Sequence, residues 1–544
     1  MTNTELLEKL LEKRGIQGKE AIENFLNPNY ERDILDPFLM RDMQKSCERI
    51  FEAIKNNEKI LIYADYDCDG IPGAVILNDL FEKLEYKNIE VYIPQRNSEG
   101  YGLNTESVER MKEDGVKVLI TIDLGITAVK EVADAQKHGI DVIITDHHLP
   151  HAEIPKAFAI LNPKCDDYPE KMLCGAGVAF KFAQGILKYQ EISAGWEKWL
   201  LDMAGLATLS DMVPLLGENR ALAYFGMKVL RKSPRPGLKA LLRKTKIAQE
   251  YLTEDDIGFM ITPRLNAASR MDDPRRAFEL LATKDVAEGE KLANHLSDIN
   301  DDRKNLVKSI MRDINKKFEK REHTEVIVIG NPLWKVGVLG LIAGKITDEY
   351  KRPAFVWGRD ENDVIKGSCR SDGSVSVVEL MTETKEYFAE FGGHEGAGGF
   401  SVHNEKIHSL EEALCNSFIK VKKETSTIIE YNYDLKLSLD DINMQNWKEI
   451  EKMSPFGLSN PKPMFLFENI PVNAIKTFGK ASEHLEFSFM NSRGQNIKAI
   501  SFFSSPESFT KIPAVGEPIS LLATFDLSRF AGRVELRLRV EDLV

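Results

Sequence analysis

Three apolar runs of strand length each end on an acidic residue, and this repetition constrains the chain more than anything else in it. Lys59-Ile60-Leu61-Ile62-Tyr63-Ala64 runs straight into Asp65-Tyr66-Asp67-Cys68-Asp69-Gly70. Val118-Leu119-Ile120-Thr121-Ile122 ends at Asp123, and Asp141-Val142-Ile143-Ile144-Thr145 ends at Asp146-His147-His148. Unbroken apolar runs of this length suit strands buried on both faces. Helical stretches separate them: about Met43 to Lys55, another resuming near Pro72, and a third over about Ala128 to His138, stopped by Gly139. Strands alternating with helices predict a parallel, doubly wound sheet, and ligands in such sheets sit off the carboxyl ends of the strands. All three acidic clusters fall at those ends.

Asp65, Asp67 and Asp69 are spaced by two, which in an extended segment puts their side chains on one side. Carboxylates this close repel and raise one another's pKa unless a divalent cation intervenes. Asp123, His147 and Asp211 complete a set of hard oxygens plus imidazole that suits manganese, with magnesium also acceptable, rather than structural zinc. Two such ions would activate water and stabilise an in-line phosphoryl displacement. An isolated DxDxDG also resembles a calcium loop, but the twelfth loop position counted from Asp65 is Ile76, where an EF-hand needs glutamate. Acids at strand ends also serve as helix N-caps, so the joint pattern, not any one cluster, carries the metal reading.

Beyond the sheet, residues from about 172 to 320 read mostly as helix, including Trp196 to Leu209, Pro274 to Leu281 and Val286 to Phe318. A second α/β unit follows: a strand at Glu325 to Gly330, a helix near Val338 to Tyr350, a strand at Ala354 to Trp357, and glycine-rich Gly392 to Gly399, which pattern alone also allows as a flexible loop. From about 426 the texture becomes β. In Arg533 to Val540 one face is apolar and the other carries Arg533, Arg537 and Arg539, with Phe525 and Phe530 nearby. A length of 544 residues calls for two to four domains. No run of about 18 uncharged apolar residues exists, so no membrane span is expected. The first residues lack the basic start and apolar stretch of a signal peptide, and the six cysteines form no CxxC pair, which suits reduced thiols in a cytoplasm. The net charge of −13 speaks against nucleic acid at first sight, but net charge governs long-range steering and not what a local groove binds.

Asp65 to Gly70, Asp123-Leu124-Gly125 and Asp146-His147-His148 resemble the signatures of the DHH phosphoesterases, and Ala207 to Leu215 resembles the motif that supplies a further metal-binding aspartate, Asp211. Ile93-Pro94-Gln95-Arg96 with Glu99-Gly100-Tyr101-Gly102-Leu103, Pro263 to Arg270, and Lys366 to Ser371 narrow the resemblance to the RecJ single-strand-specific exonucleases. Gly392-Gly393-His394 resembles the DHHA1 motif, and Ser454 to Gly457 with Asn460 to Pro463 the entry to that family's OB domain. The resemblance covers residues from about 20 to 540. Leu124, Ser269, Ala207 and Ile71 to Ala74 depart from the usual residues without removing a metal-binding side chain, and mark a divergent member.

The resemblance implies an N-terminal lead-in (1–45), a parallel-sheet DHH catalytic domain (46–215), a helical connector (216–320), a smaller α/β DHHA1 domain (321–425) and a C-terminal OB-like β-barrel (426–544). It assigns Asp65, Asp67, Asp69, Asp123, His147 and Asp211 to two Mn2+ or Mg2+ ions. His148, with Asp146, takes the catalytic place at the scissile phosphate or attacking water, although His148 could instead only support His147. Arg96, Arg270, Ser368 and Arg370 form a pocket for a 5′ phosphate, His394 meets substrate, and Arg533, Arg537 and Arg539 hold the strand on the barrel. The implied activity is 5′→3′ hydrolysis of single-stranded DNA in repair and recombination, with a single-strand-binding protein or a helicase as protein partners. Two alternatives stand beside it: a phosphodiesterase for short oligonucleotides or cyclic dinucleotides, and a catalytically inactive single-strand-binding scaffold. The retained carboxylates count against the scaffold.

Overall fold

The computed structural model describes residues 3–96, 99–100, 102–192, 194–319, 324–422, 432–479, 483–529 and 533–544. They form two compact units: Leu35–Val213 with Phe225–Thr427, and Met1–Ile34 with Pro214–Tyr224 and Ile428–Val544.

In the larger unit, β1 (Lys59–Ala64), β2 (Ile89–Tyr92), β3 (Val116–Ile122), β4 (Asp141–Thr145) and β5 (Ala159–Leu161) make one sheet in the order β2-β1-β3-β4-β5, every neighbouring pair parallel. Ile60, Ile62, Val118, Ile120, Ile122, Ile143 and Ile144 are fully buried, as apolar runs covered on both faces by helices must be. The strand order reverses between β1 and β3, so the crevice where ligands bind opens at the carboxyl ends of these two strands. Asp65 and Asp123 are the first residues beyond them.

The expected helical stretch follows, ending in a 33-residue helix over Val286–Phe318. It leads to a second sheet of β6 (Ile327–Gly330), β7 (Ala354–Arg359), β8 (Ile365–Arg370), β9 (Phe388–His394) and β10 (Ala397–Val402), in the order β6-β7-β8-β10-β9. Gly392 to Gly399 is not a loose loop. It is the tip of the β9–β10 hairpin, with Gly398 opposite Gly393 and Gly399 opposite Gly392, because ladder hydrogen bonds supply the order that absent side chains cannot.

The smaller unit holds the seven-stranded sheet of β11 (Leu435–Lys436), β12 (Phe465–Pro471), β13 (Ala474–Phe478), β14 (His484–Met490), β15 (Asn496–Phe502), β16 (Pro518–Ser528) and β17 (Glu535–Leu543), in the order β11-β12-β16-β17-β15-β14-β13. The first residues of the chain belong to this smaller unit. Leu6, Leu7, Leu10 and Leu11, from the helix Asn3–Lys13, share one buried core with Phe465, Phe467, Phe487 and Phe525 of this sheet. Nothing local in the sequence marks that pairing, which joins residues more than 400 positions apart.

Candidate active site

Each acidic cluster is held by the backbone ladder that precedes it. The amide of Asp65 donates to the Ile122 carbonyl at 3.1 Å, that of Asp123 to the Thr145 carbonyl at 2.9 Å, and that of Asp146 to the Leu161 carbonyl at 3.1 Å. Each aspartate is thus pinned to the last residue of the next strand, and the three side chains are delivered to one edge of the sheet. Asp211 arrives at the end of the helix Leu201–Ser210, its amide bonded to the Ala207 carbonyl.

Three overlapping groups of ligand atoms result, each lying within 4.8 Å of one another: Asp65, Asp67 and Asp123; Asp69, His147 and Asp211; and Asp123, His147 and His148. His147 Nε2 stands 3.1 Å from Asp123 Oδ1, 3.7 Å from Asp69 Oδ2 and 3.9 Å from Asp211 Oδ2. Oδ1 of Asp65 is buried and has no hydrogen-bond partner among the described residues. A buried carboxylate oxygen without a donor is costly, and a divalent cation is the natural counterpart for one set among other carboxylates. Burial, reinforced by Asp69 and Asp67, pushes the Asp211 carboxyl up to about 9, and burial with like charge raises Asp65 and Asp123 well above the usual carboxylate range. Burial lowers His147, which favours the neutral imidazole that a metal needs. The donor set and its electrostatics therefore fit two Mn2+ or Mg2+ ions.

His148 has a different environment. Its Nδ1 lies 2.8 Å from Asp146 Oδ1, and its side chain is 46% exposed. Burial draws its pKa down, but the Asp146 hydrogen bond and charge outweigh it and leave it raised. Asp146 is 1% exposed and also accepts from the amides of Ile126, His147 and His148. Asp146 thus orients the imidazole through Nδ1.

Two supporting elements escaped the sequence reading. Both carboxylate oxygens of Asp69 accept amides at the start of the helix Gly175–Tyr189, from Gly175 at 2.6 Å and Ala176 at 2.7 Å. A Cβ on Gly175 would lie 2.5 Å from that of Asp123, so only glycine lets the helix end approach this closely. The glycines of Cys174-Gly175-Ala176-Gly177 are the signal that could have revealed it. Lys164, just past β5, bonds the His147 carbonyl through its Nζ, and its charge acts on Asp146 and Asp211.

The arginines expected to bind phosphate converge. Burial, then the charges of Arg96, Arg303 and Arg370, lower Arg270 to about 10, and burial with Arg96 lowers Arg370. Arg96 also acts on Asp65 and Asp67, so this basic cluster adjoins the acidic one. Arg270 Nη1 donates to the Gly337 carbonyl at 3.1 Å, and Arg370 Nη1 to its neighbour Cys369 at 2.8 Å. The helix Leu339–Tyr350 begins here. A Cβ on Gly340 would sit 3.1 Å from Arg370 Nη2 and 3.5 Å from Ser368 Oγ, so the first turn of that helix forms a wall of the same socket. A helix N-terminus adds amides and positive potential to the guanidinium groups. Tyr101, in the neighbouring motif, lies outside the described residues. His394 is exposed at the end of β9, opposite Ala397, which on its other side pairs with Arg370. Two strand spacings, about 10 Å, therefore separate the His394 and Arg370 backbones.

The barrel corrects part of the expectation. Arg533 is exposed ahead of β17, but Arg537 is paired with Asp526 at 2.6 Å, which offsets its charge. Phe525 is 7% exposed and packs on Phe465 with ring centroids 5.2 Å apart: it belongs to the core, because strand alternation turns it away from the arginines. Phe530 lies outside the described residues. Phe478 (37%), Phe502 (38%) and Phe503 (83%) are exposed there, with Arg537 and Arg539 placed 5.9 and 5.8 Å from the Phe502 ring centre.

Comparison with known proteins bears on all three regions. Residues 59–208 match the DHH family N-terminal domain, 307–420 the DHHA1 domain and 433–542 the RecJ OB domain. The single-stranded-DNA-specific exonuclease RecJ of Bacillus subtilis is 34% identical over 544 residues, covering 99% of this chain and 68% of that protein. This chain belongs to the RecJ family. The Escherichia coli RecJ is 30% identical over 481 residues, covering 85% of this chain and 82% of that one. The Thermus thermophilus RecJ in complex with Mn2+ shares the fold at a TM-score of 0.80 and 24% identity, over 99% of this chain and 78% of that one. A RecJ exonuclease bound to manganese, 28% identical, superposes at 0.63 over 71% of this chain and 96% of that one. As a RecJ-family protein with a DHH domain, the chain is a hydrolase of the nuclease class. Its six cysteines are all free thiols, and no described helix is long and apolar enough to cross a membrane.

Proposed function

We propose that this protein hydrolyses single-stranded DNA from the 5′ end, with Asp65, Asp67 and Asp123 holding one divalent ion and Asp69, His147 and Asp211 the other. The observation that carries this reading is the position of Arg96, whose charge is felt both by Arg270 and Arg370 and by Asp65 and Asp67. A socket for a phosphate dianion beside a two-metal cluster suits an enzyme that anchors a strand terminus and cuts next to it.

When bound, the ions supply Lewis acidity at the scissile phosphate and lower the pKa of the attacking water. The chain's own residues do the rest. Arg96, Arg270, Ser368, Arg370 and the amides at the start of the helix Leu339–Tyr350 seat the 5′ phosphate. A terminal dianion profits from several charged donors more than an internal diester does, which makes the socket selective for strand ends. His148, its Nδ1 held by Asp146, turns Nε2 toward the scissile phosphate or the attacking water. His394 lies alongside the strand on the DHHA1 sheet. Support for a polymer substrate comes from the OB domain, where Phe502, Phe503, Arg533 and Arg539 offer stacking faces and charge for bases and backbone. RecJ structures solved in complex with Mn2+ and with Mg2+ support the choice of ions. A helicase or a single-strand-binding protein would present such strands to the enzyme.

The test is incubation of the purified protein with manganese and end-labelled single strands, DNA and RNA, carrying either a 5′ phosphate or a 5′ hydroxyl, with blunt duplex alongside. We expect degradation from the 5′ end, faster on the phosphorylated DNA strand, slight on duplex and absent in chelator. Attack from the 3′ end, or indifference to the 5′ group, would overturn the reading.

A further inference from the structure

The long helix Val286–Phe318 carries a largely buried seam at Leu292, Leu296, Asn300, Arg303, Val307, Ile310, Ile314 and Phe318, spaced by three and four as one face of a helix requires. Six of these positions are apolar. Asn300 and Arg303 interrupt the seam, and both carry unmet hydrogen-bonding capacity. Asn300 is fully buried, yet neither its Oδ1 nor its Nδ2 has a partner among the described residues. Arg303 is half-buried, its Nε is unpartnered, and it makes no ion pair among the described residues. Buried polar groups are ordinarily satisfied, and a leucine at either place would continue the seam at no such cost. Asn300 is sealed in the seam, but Arg303 reaches the surface, and its unmet donors point to a ligand that arrives to meet them.

Their location says which. The carboxyl-terminal part of the seam, from Val307 onward, packs in the core with Ile327, Ile342 and Val356 of the second α/β domain. The amino-terminal part lies against the helix Thr262–Met271, where His295 Nε2 meets Asp272 Oδ2 at 2.8 Å. Asn300 and Arg303 fall between these two stretches, and Arg270 stands on the helix Thr262–Met271 that packs against this one. The charge of Arg303 acts directly on Arg270, and Arg303 in turn feels Arg264, itself 8% exposed with an unpartnered Nε. Among the described residues, no carboxylate pairs with Arg303 to account for its presence in the seam.

We propose that Arg303 is a further substrate-binding residue, a guanidinium beside Arg270 that contacts the 5′-terminal phosphate dianion. The inference rests on the terminal-phosphate reading above and extends it by one residue and one structural reason: the helix trades an apolar contact for a charge that no described carboxylate pairs with and that a bound phosphate would.

The experiment compares the wild type with Arg303→Met, Arg303→Lys and Arg270→Met in manganese, reading kcat/KM on single-stranded DNA with a 5′ phosphate and with a 5′ hydroxyl, and Tm. Methionine restores the apolar seam, so Arg303→Met keeps or raises Tm. We expect it to lower kcat/KM on the 5′-phosphorylated strand about 10- to 100-fold more than on the 5′-hydroxyl strand, as loss of a charged hydrogen bond does. Arg303→Lys falls between, retaining charge without the planar fork, and carries the test if the methionine variant fails to fold. If Arg270→Met erases the phosphate preference while both Arg303 variants keep it, Arg303 is outside the socket and this inference alone is wrong. If the wild type shows no preference, the socket reading itself has failed. Equal loss on both substrates with a lowered Tm would mean Arg303 only braces the helix.

Discussion

His147 Nε2 lies 3.1 Å from Asp123 Oδ1, and the two side chains come from the ends of adjacent parallel strands, β4 and β3. Burial holds the histidine neutral and, with the charges of Asp69, Asp67 and Asp65, presses the carboxyl toward its protonated form. The pair is poised to exchange a proton for a metal ion, and the first predictions follow from that exchange.

Asp123→Asn or Asp211→Ala should abolish hydrolysis while leaving single-strand binding largely in place. Loss of a group that merely supports a metal ligand costs about 10- to 100-fold, and loss of a ligand should cost more. Rates at saturating manganese and a binding isotherm in chelator check this together. Undiminished cleavage by either variant would remove that residue from the metal centre.

Manganese binding should release protons, and its affinity should climb as pH rises toward about 9, the pKa of the Asp211 carboxyl without metal. A carboxyl raised in the folded protein contributes stability that is complete below its unfolded pKa and is lost as pH rises through the folded value. Up to a pH of about 9 the metal-free protein should therefore lose more Tm than the manganese form. Calorimetry in buffers of different ionisation enthalpy counts the protons, and a count of zero at neutral pH contradicts the assignment.

Gly340→Ala should blunt the preference for a 5′ phosphate. The added methyl would meet Arg370 Nη2 at 3.1 Å, so that guanidinium must shift by a few tenths of an ångström, while Ser368 Oγ at 3.5 Å stays in ordinary contact. The ratio of kcat/KM for 5′-phosphate to 5′-hydroxyl strands should fall several-fold, with manganese affinity as in the wild type. An unchanged ratio would place the phosphate elsewhere.

Phe503→Ala, and Phe502→Ala with it, should weaken binding of long single strands by about 1–3 kcal/mol for each base that loses its stacking partner. At 83% exposure Phe503 contributes little to the fold, so its Tm should hold. Arg539→Gln should instead make the salt dependence of binding shallower, as one fewer phosphate is neutralised. Point substitutions test the barrel better than truncation. Deleting 428–544 would also strip Leu6, Leu7, Leu10 and Leu11 of the core they share with it.

Much of this was legible one residue at a time. Buried parallel strands must be apolar throughout, and the chain must leave each strand where the ligand crevice opens. The runs ending at Asp65, Asp123 and Asp146 therefore announced both the sheet and the metal cluster, and β1 and β4 occupy the expected residues. The seam of Val286–Phe318 was equally plain, because helical periodicity is a local property. What the sequence could not state were contacts between distant segments. Nothing near Arg537 signals Asp526 as its partner, and alternation alone could not tell that Phe525 faces the core while Phe502 faces solvent. The amides of Gly175 and Ala176 meet Asp69 across 106 and 107 residues. The leucines near the N-terminus fill a core whose other residues lie more than 400 positions away. Strand and helix patterns are written by near neighbours, but hydrogen-bond partners and burial of single side chains depend on which surfaces packing brings together, and only the tertiary structure decides that.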